Sequence, residues 1–156
     1  AQVGRHAAMK MVLPGARPVI APDPSLNRWH SAAVGQALWL SVNDPTATKH
    51  ESLSFMGQAV SLTARRNGLS FNMGDGHTVH CAATTPWSPS VEPGSPSPTC
   101  GYTYQQAAPA GGYKVTAITS WDVTWSVLGH TGTVHIEKAG GQMLPVGELE
   151  SVVTRR

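Results

Sequence analysis

The longest regular pattern in the chain runs from Tyr113 to Val127. Tyr113, Val115, Ala117, Thr119, Trp121, Val123, Trp125 and Val127 alternate with Lys114, Thr116, Ser120, Asp122, Thr124 and Ser126, and only Ile118 falls out of phase. Successive side chains of a strand point to opposite faces, so this alternation predicts a β-strand with one face buried and the other in water. The run far exceeds the usual strand of roughly 5 to 6 residues. That excess predicts a strong twist, a bulge near Ser120, or extension beyond the sheet as a ribbon. Shorter alternating runs occur at Ala37–Val42 and at Gln58–Arg65, where Val60, Leu62 and Ala64 share a face. Thr133–Lys138 reads as a return strand and Leu149–Thr154 as a last one.

Between these runs lie turn signals. Asn67-Gly68 predicts a hairpin joining the Gln58–Arg65 strand to the next. Gly74-Asp75-Gly76 predicts a second hairpin, because glycine and a short Asx side chain accept the positive φ of tight turns. The segment Asn43–Ser52 is polar and reads as a link, and Leu128–Gly132 as a turn. Residues 1–35 carry Pro14, Pro18, Pro22 and Pro24, a spacing that breaks helices and central strands, and predict an extended arm. Within that arm Ala7–Leu13 is apolar enough to dock as an edge strand, on its own domain or on a neighbour. No helix of ordinary length is expected. About seven or eight short strands separated by turns describe an all-β, antiparallel β-sandwich spanning residues 36–156.

Composition agrees with this and removes several function classes. Charged residues make up 13% of the chain, against roughly 25% in soluble domains, and the formal charge is only +2. That charge is too small for the dense phosphate neutralisation of nucleic-acid binding. No window approaches the roughly 20 apolar residues that cross a bilayer, so no transmembrane segment is expected. The chain begins at Ala1, which fits a processed precursor and equally a cloning boundary. Cys81 and Cys100 flank a segment containing Pro86, Pro89, Pro93, Pro96 and Pro98. In an exported protein this pair reads as a disulfide closing the loop 81–100; two buried, unbridged thiols are the alternative.

Taken in order, Phe71-Asn72-Met73-Gly74-Asp75-Gly76, Tyr102-Thr103-Tyr104 and Gly112-Tyr113-Lys114-Val115-Thr116 resemble the hallmarks of the PKD domain, an immunoglobulin-like β-sandwich of extracellular proteins. The two-cysteine Pro/Ser-rich loop and Val34-Gly35-Gln36-Ala37-Leu38-Trp39-Leu40 extend the likeness to a group of secreted actinobacterial proteins of unassigned function. The resemblance covers about residues 36–156 and is strong only over 69–119. Phe71 stands where the family has tryptophan, Met73 where it has phenylalanine, and Tyr102 where it has histidine. The resemblance implies a secreted or cell-surface module used for spacing, adhesion or assembly.

Residues with catalytic potential have simpler readings. No nucleophile elbow, phosphate loop, zinc-binding helix or calcium loop is present in the sequence. His77 and His80 lie three apart, on opposite faces of a strand, so no shared metal is expected. Asp75 reads as the structural residue of its turn, together with Gly74 and Gly76, and no cofactor is implied. The tryptophans are the stronger lead. Trp121 and Trp125 share a strand face and read either as core or as an aromatic strip for a partner or a sugar, while Trp87, in the cysteine loop, is a third candidate for partner binding. The expected function is therefore a non-catalytic structural or interaction module engaging a protein partner. Two alternatives stand beside it: a filament or secretion-apparatus subunit that self-assembles through residues 1–35, and a carbohydrate-binding module using Trp121 and Trp125.

Overall fold

The structure, a computed structural model, describes residues 2–148. Ten strands, one short α-helix and a single 3-10 turn (Pro24–Leu26) are defined in it: α1 (Gln2–Lys10), β1 (Pro18–Ala21), β2 (Ala32–Ala33), β3 (Leu38–Val42), β4 (Thr48–Phe55), β5 (Gln58–Asn72), β6 (Thr78–His80), β7 (Gly101–Tyr102), β8 (Tyr113–Val127), β9 (His130–Leu144) and β10 (Val146–Gly147). The main sheet has the order β4-β5-β8-β9, with β6 also paired to β5, and its strands are antiparallel. A second antiparallel sheet, β1-β3-β7, packs on part of it, and β2 pairs in parallel with β10. The fold is thus an all-β sandwich, as the alternation predicts.

The long strand forms over the whole of its predicted range, and each of its odd residues from Tyr113 to Val127 is buried. Its neighbour β5 solves a problem of parity. In β5 the inward residues are even-numbered up to Ala64 (Val60, Leu62, Ala64) and odd-numbered from Leu69 (Leu69, Phe71). Between Arg66 and Gly68 the register with β8 shifts by one residue, leaving Asn67 as a bulge opposite Trp121 and Ser120. The extra residue lets both sets face the same side of the sheet. The bulge near Ser120 therefore exists but belongs to the partner strand. Asn67-Gly68 is not a hairpin, because the strand runs unbroken through it.

Three other segments differ from their sequence reading. Asn43–Ser52 is not all link, since β4 begins at Thr48 and pairs with β5 from Thr48↔Arg65 to Phe55↔Gln58. The return strand β9 continues past Lys138 through Gly140 and Gly141 to Leu144. The predicted last strand, Leu149–Thr154, lies outside the described residues.

The N-terminal region docks on its own chain, and its first part does so as a helix. Gly4, Ala7, Ala8 and Met11 are buried, a spacing of i, i+3, i+4 and i+7 that forms an apolar helical stripe. The prolines begin only at Pro14, so nothing in residues 2–10 forbids a helix. Beyond the helix the chain is extended and β1 pairs with β3 from Pro18↔Val42 to Ala21↔Trp39.

Two hydrophobic clusters result. One lies between the two sheets and includes Leu38, Leu40, Phe71, Met73, Tyr104, Val115 and Leu144. The other lies between α1 and the far half of the main sheet and includes Ala7, Ala8, Met11, Leu62, Trp121, Val123 and Trp125. Thr119 sits on β8 where the halves meet, buried, with its hydroxyl accepting the Trp121 indole N–H at 3.2 Å.

Candidate functional site

Chemistry-bearing side chains converge at the Gly74-Asp75-Gly76 turn. Strands β5 and β6 pair as far as Asn72↔Thr78, so residues 73–77 form the loop of this hairpin. Gly74 has φ +80°, and a Cβ there would lie 2.6 Å from the Lys114 carbonyl oxygen, so glycine is required both by the backbone and by the close passage of β8. The Asp75 carboxylate accepts the His77 backbone N–H at 3.1 Å, which confirms its place in an Asx turn. Its other oxygen accepts the Tyr102 hydroxyl at 2.5 Å and lies 3.4 Å from His77 Nδ1.

Tyr102 is held there by the disulfide. Cys81 follows β6 and Cys100 precedes β7; they are bonded, with Cα atoms 5.6 Å apart, and lie 19 positions apart in sequence. Both are buried in the core between the sheets. Trp39 fastens the Pro-rich loop by donating its indole N–H to the Ser95 carbonyl at 2.9 Å.

Three tyrosines continue the cluster inward. Tyr102 meets Tyr104 edge-on, with ring centroids 4.9 Å apart, and Tyr104 stacks on Tyr113 at 4.6 Å. Tyr104 donates its hydroxyl to the Met73 carbonyl at 2.7 Å. Burial raises the hydroxyl pKa of Tyr102, Tyr104 and Tyr113 above the ordinary value of 10.0, and the Asp75 charge adds to this in each case. In Tyr102 the hydrogen bond to Asp75 raises it further. These hydroxyls stay protonated donors, the opposite of what a tyrosine base or nucleophile needs.

Beside this cluster an open cleft of about 340 Å³ is lined by Asp75, His77, Gln105, Gln106, Pro109 and Tyr113. It contains one carboxylate, already hydrogen-bonded from two sides, and one exposed imidazole. His80 lies on β6, and among the described residues no three metal-ligating side chains converge.

The tryptophans have separate fates. Trp121 and Trp125 do share a face, but they are 1% and 6% exposed because α1 lies over them. A Cβ on Gly4 from the helix side, or on Gly132 from β9, would collide with the Trp125 ring. The aromatic strip is thus occupied by the chain's own helix and offers no open face to a sugar or partner. Trp87 is half-buried and, with Trp39, Pro22, Pro89 and Pro93, lines a groove of about 330 Å³ along the disulfide-closed loop.

Sequence reasoning identified Asp75, both cysteines and Trp121 with Trp125, and singled out Tyr102, Tyr104 and Tyr113 as family hallmarks. It missed the union of Asp75 with Tyr102, because a contact across 27 positions depends on the disulfide-guided path of the loop. It also missed the helix that covers the tryptophans, although the Gly4, Ala7, Ala8 and Met11 spacing was a readable signal.

No protein-family model matches this chain, and no similar protein was found among curated sequences or among solved structures.

Proposed function

We propose that this protein is a non-catalytic structural or interaction module that works outside the cell, an immunoglobulin-like sandwich akin to the PKD domain. The observation that carries the reading is the use made of Asp75. Its carboxylate binds the turn to Tyr102 rather than standing free in the cleft. A buried disulfide suits an oxidising compartment, and among the described residues no helix is long and apolar enough to cross a membrane. The test is Asp75→Asn in the full chain, screened against ester, peptide and glycoside substrates alongside the parent. The expected result is no turnover by either and a lower denaturation midpoint for the variant. Turnover by the parent that Asp75→Asn abolishes would overturn the reading.

A second reading is favoured by the way Trp121 and Trp125 are covered. α1 is joined to the rest by an extended segment containing Pro14 and Gly15, so a neighbouring copy could supply the same cover by exchange, giving a self-assembling subunit. Size-exclusion chromatography with light scattering on the chain with and without residues 1–13, a truncation that keeps β1 and β2, tests it. Concentration-dependent oligomers that vanish on truncation are expected, and a monomer in both cases removes the subunit reading.

A further inference from the structure

Two β-turns at one end of the main sheet break the local rules of sequence in the same way. β4 and β5 are joined by Met56-Gly57, and β8 and β9 by Leu128-Gly129. All four residues have positive φ: +55° and +77° in the first turn, +49° and +79° in the second. This is the two-residue hairpin turn with both central residues left-handed, whose first position normally takes asparagine, aspartate or glycine. A methionine and a leucine there strain the backbone and bury nothing, since Met56 is 73% and Leu128 76% exposed. Isolated exposed apolar residues are ordinary. Here the two are paired, because β5 and β8 are neighbours in register, with Ser61 opposite Ser126. The tips therefore project from the same end of the sheet, two strand spacings or about 10 Å apart across it, with the Met56-Gly57 turn reaching two residues further out. Strain without gain to the fold marks a position kept for another purpose.

The charge around the tips says what they meet. None of residues 2–10, 52–64 or 123–134 is Asp or Glu. Gly4 packs on Trp125, three residues before Leu128, whereas the Val12 carbonyl is bonded by Lys49, well back along β4. The helix therefore presents its first turns toward the tips, and Arg5 and His6 are exposed there, with exposed His130 on β9. Two projecting apolar points with the Arg5 cation behind them and, among the described residues, no carboxylate in these stretches complement a surface that is soft, apolar beneath and anionic outside.

We propose that the Met56-Gly57 and Leu128-Gly129 tips are a membrane-docking site that inserts both side chains into the interface of an anionic lipid bilayer. The two apolar residues supply the burial and Arg5 the attraction to headgroups. The site goes beyond the reading above, since it uses neither the Asp75 cluster nor chain exchange.

The test is co-sedimentation of the full chain with vesicles of phosphatidylcholine, alone or mixed with phosphatidylglycerol. Binding to the mixed vesicles is expected, weaker on phosphatidylcholine alone and weaker at high salt. The Met56→Asn, Leu128→Asn pair should weaken binding at least about tenfold. Its denaturation midpoint should be unchanged or higher, because asparagine accepts the left-handed backbone. Met143→Asn, at an exposed methionine paired with Lys114 near the opposite end of the sheet, should bind as the parent does. An environment-sensitive dye on Leu128→Cys should shift to the blue on adding mixed vesicles. The proposal is overturned by a parent that does not sediment with mixed vesicles, by an asparagine pair that binds as well as the parent, by a Met143→Asn loss equal to that of the pair, or by an unshifted dye.

Discussion

On one side of the Asn67 bulge the main sheet is covered by a second sheet, tied in by Cys81–Cys100 and by the hydroxyls of Tyr102 and Tyr104. On the other side, among the described residues, the same sheet face is covered by nine helical residues and the few that follow them. The first half is cross-linked covalently and by specific hydrogen bonds. The second is held by shape, with small residues at Gly4, Ala7 and Ala8 letting the helix lie against two tryptophan rings. The contrast teaches that a long strand can extend beyond its sandwich provided that something narrow covers its apolar surplus. It also separates the roles of the halves: one is cross-linked covalently, and the other is held by packing.

The largest effect should come from the hinge of this comparison. Deleting Asn67 removes the extra residue that reconciles even-numbered Val60, Leu62 and Ala64 with odd-numbered Leu69 and Phe71. One set must then face water, so loss of the folded state is expected, seen as loss of cooperative unfolding by circular dichroism. A stable deletion variant would show that the bulge carries no register information.

Next, Trp121→Ala should lower stability by about 3–5 kcal/mol in denaturant unfolding, since the side chain is 1% exposed and its removal leaves a cavity. The loss should come from the helix-covered half, with amide exchange rising first in α1 and the adjoining part of β8. Uniform acceleration across both sheets would show instead that the halves open as one unit.

Removing the disulfide with the Cys81→Ala, Cys100→Ala pair should cost about 3 kcal/mol on the chain-entropy view of a 19-position loop. Exchange should then rise in β6, β7 and residues 82–99 while α1 keeps its protection.

Gly4→Leu should cost about 1–3 kcal/mol, because the added side chain collides with the Trp125 ring and the helix must lift. A red shift of tryptophan emission at full β-sheet content would mark the exposed strip. Unchanged emission would mean that the helix does not press on Trp125.

The smallest effect, absent at neutral pH, comes from the tyrosines. Tyr102, Tyr104 and Tyr113 hold their protons more tightly folded than unfolded, through burial first and the Asp75 charge second. Their contribution is complete below the unfolded value near pH 10 and is lost as pH rises from there toward the folded value. The denaturation midpoint should therefore fall only above about pH 10. Tyrosinate absorbance should appear together with unfolding rather than before it, and Tyr102→Phe should shrink the alkaline fall. A fall already complete below pH 10 would contradict this assignment.

Much of the rigid half is legible along the chain. The alternation from Tyr113 to Val127, the Gly74-Asp75-Gly76 turn and the cysteines on either side of a proline-rich loop are local patterns, each with a local physical cause. The helix-covered half is less legible. Ala7–Leu13 looks equally apolar as strand or helix, and only the position of Gly4 against Trp125 shows why small residues recur at helical spacing there. Asn67-Gly68 carries the residues of a hairpin turn, yet the backbone continues straight on, because β8 keeps a single inward parity and needs an extra residue from its neighbour.

By itself, then, the sequence determines the long alternating strand and its apolar face, the Gly74-Asp75-Gly76 turn and which cysteines are available to pair. Those follow from side-chain period and backbone preference, which act over a few residues. The tertiary structure alone decides that Asp75 serves Tyr102, that Trp121 and Trp125 serve the helix, and that Met56 and Leu128 stand together in water. Each of those depends on which distant segments share a surface, and that is set by register, by the bulge and by the competition for a limited apolar face, which no local pattern records.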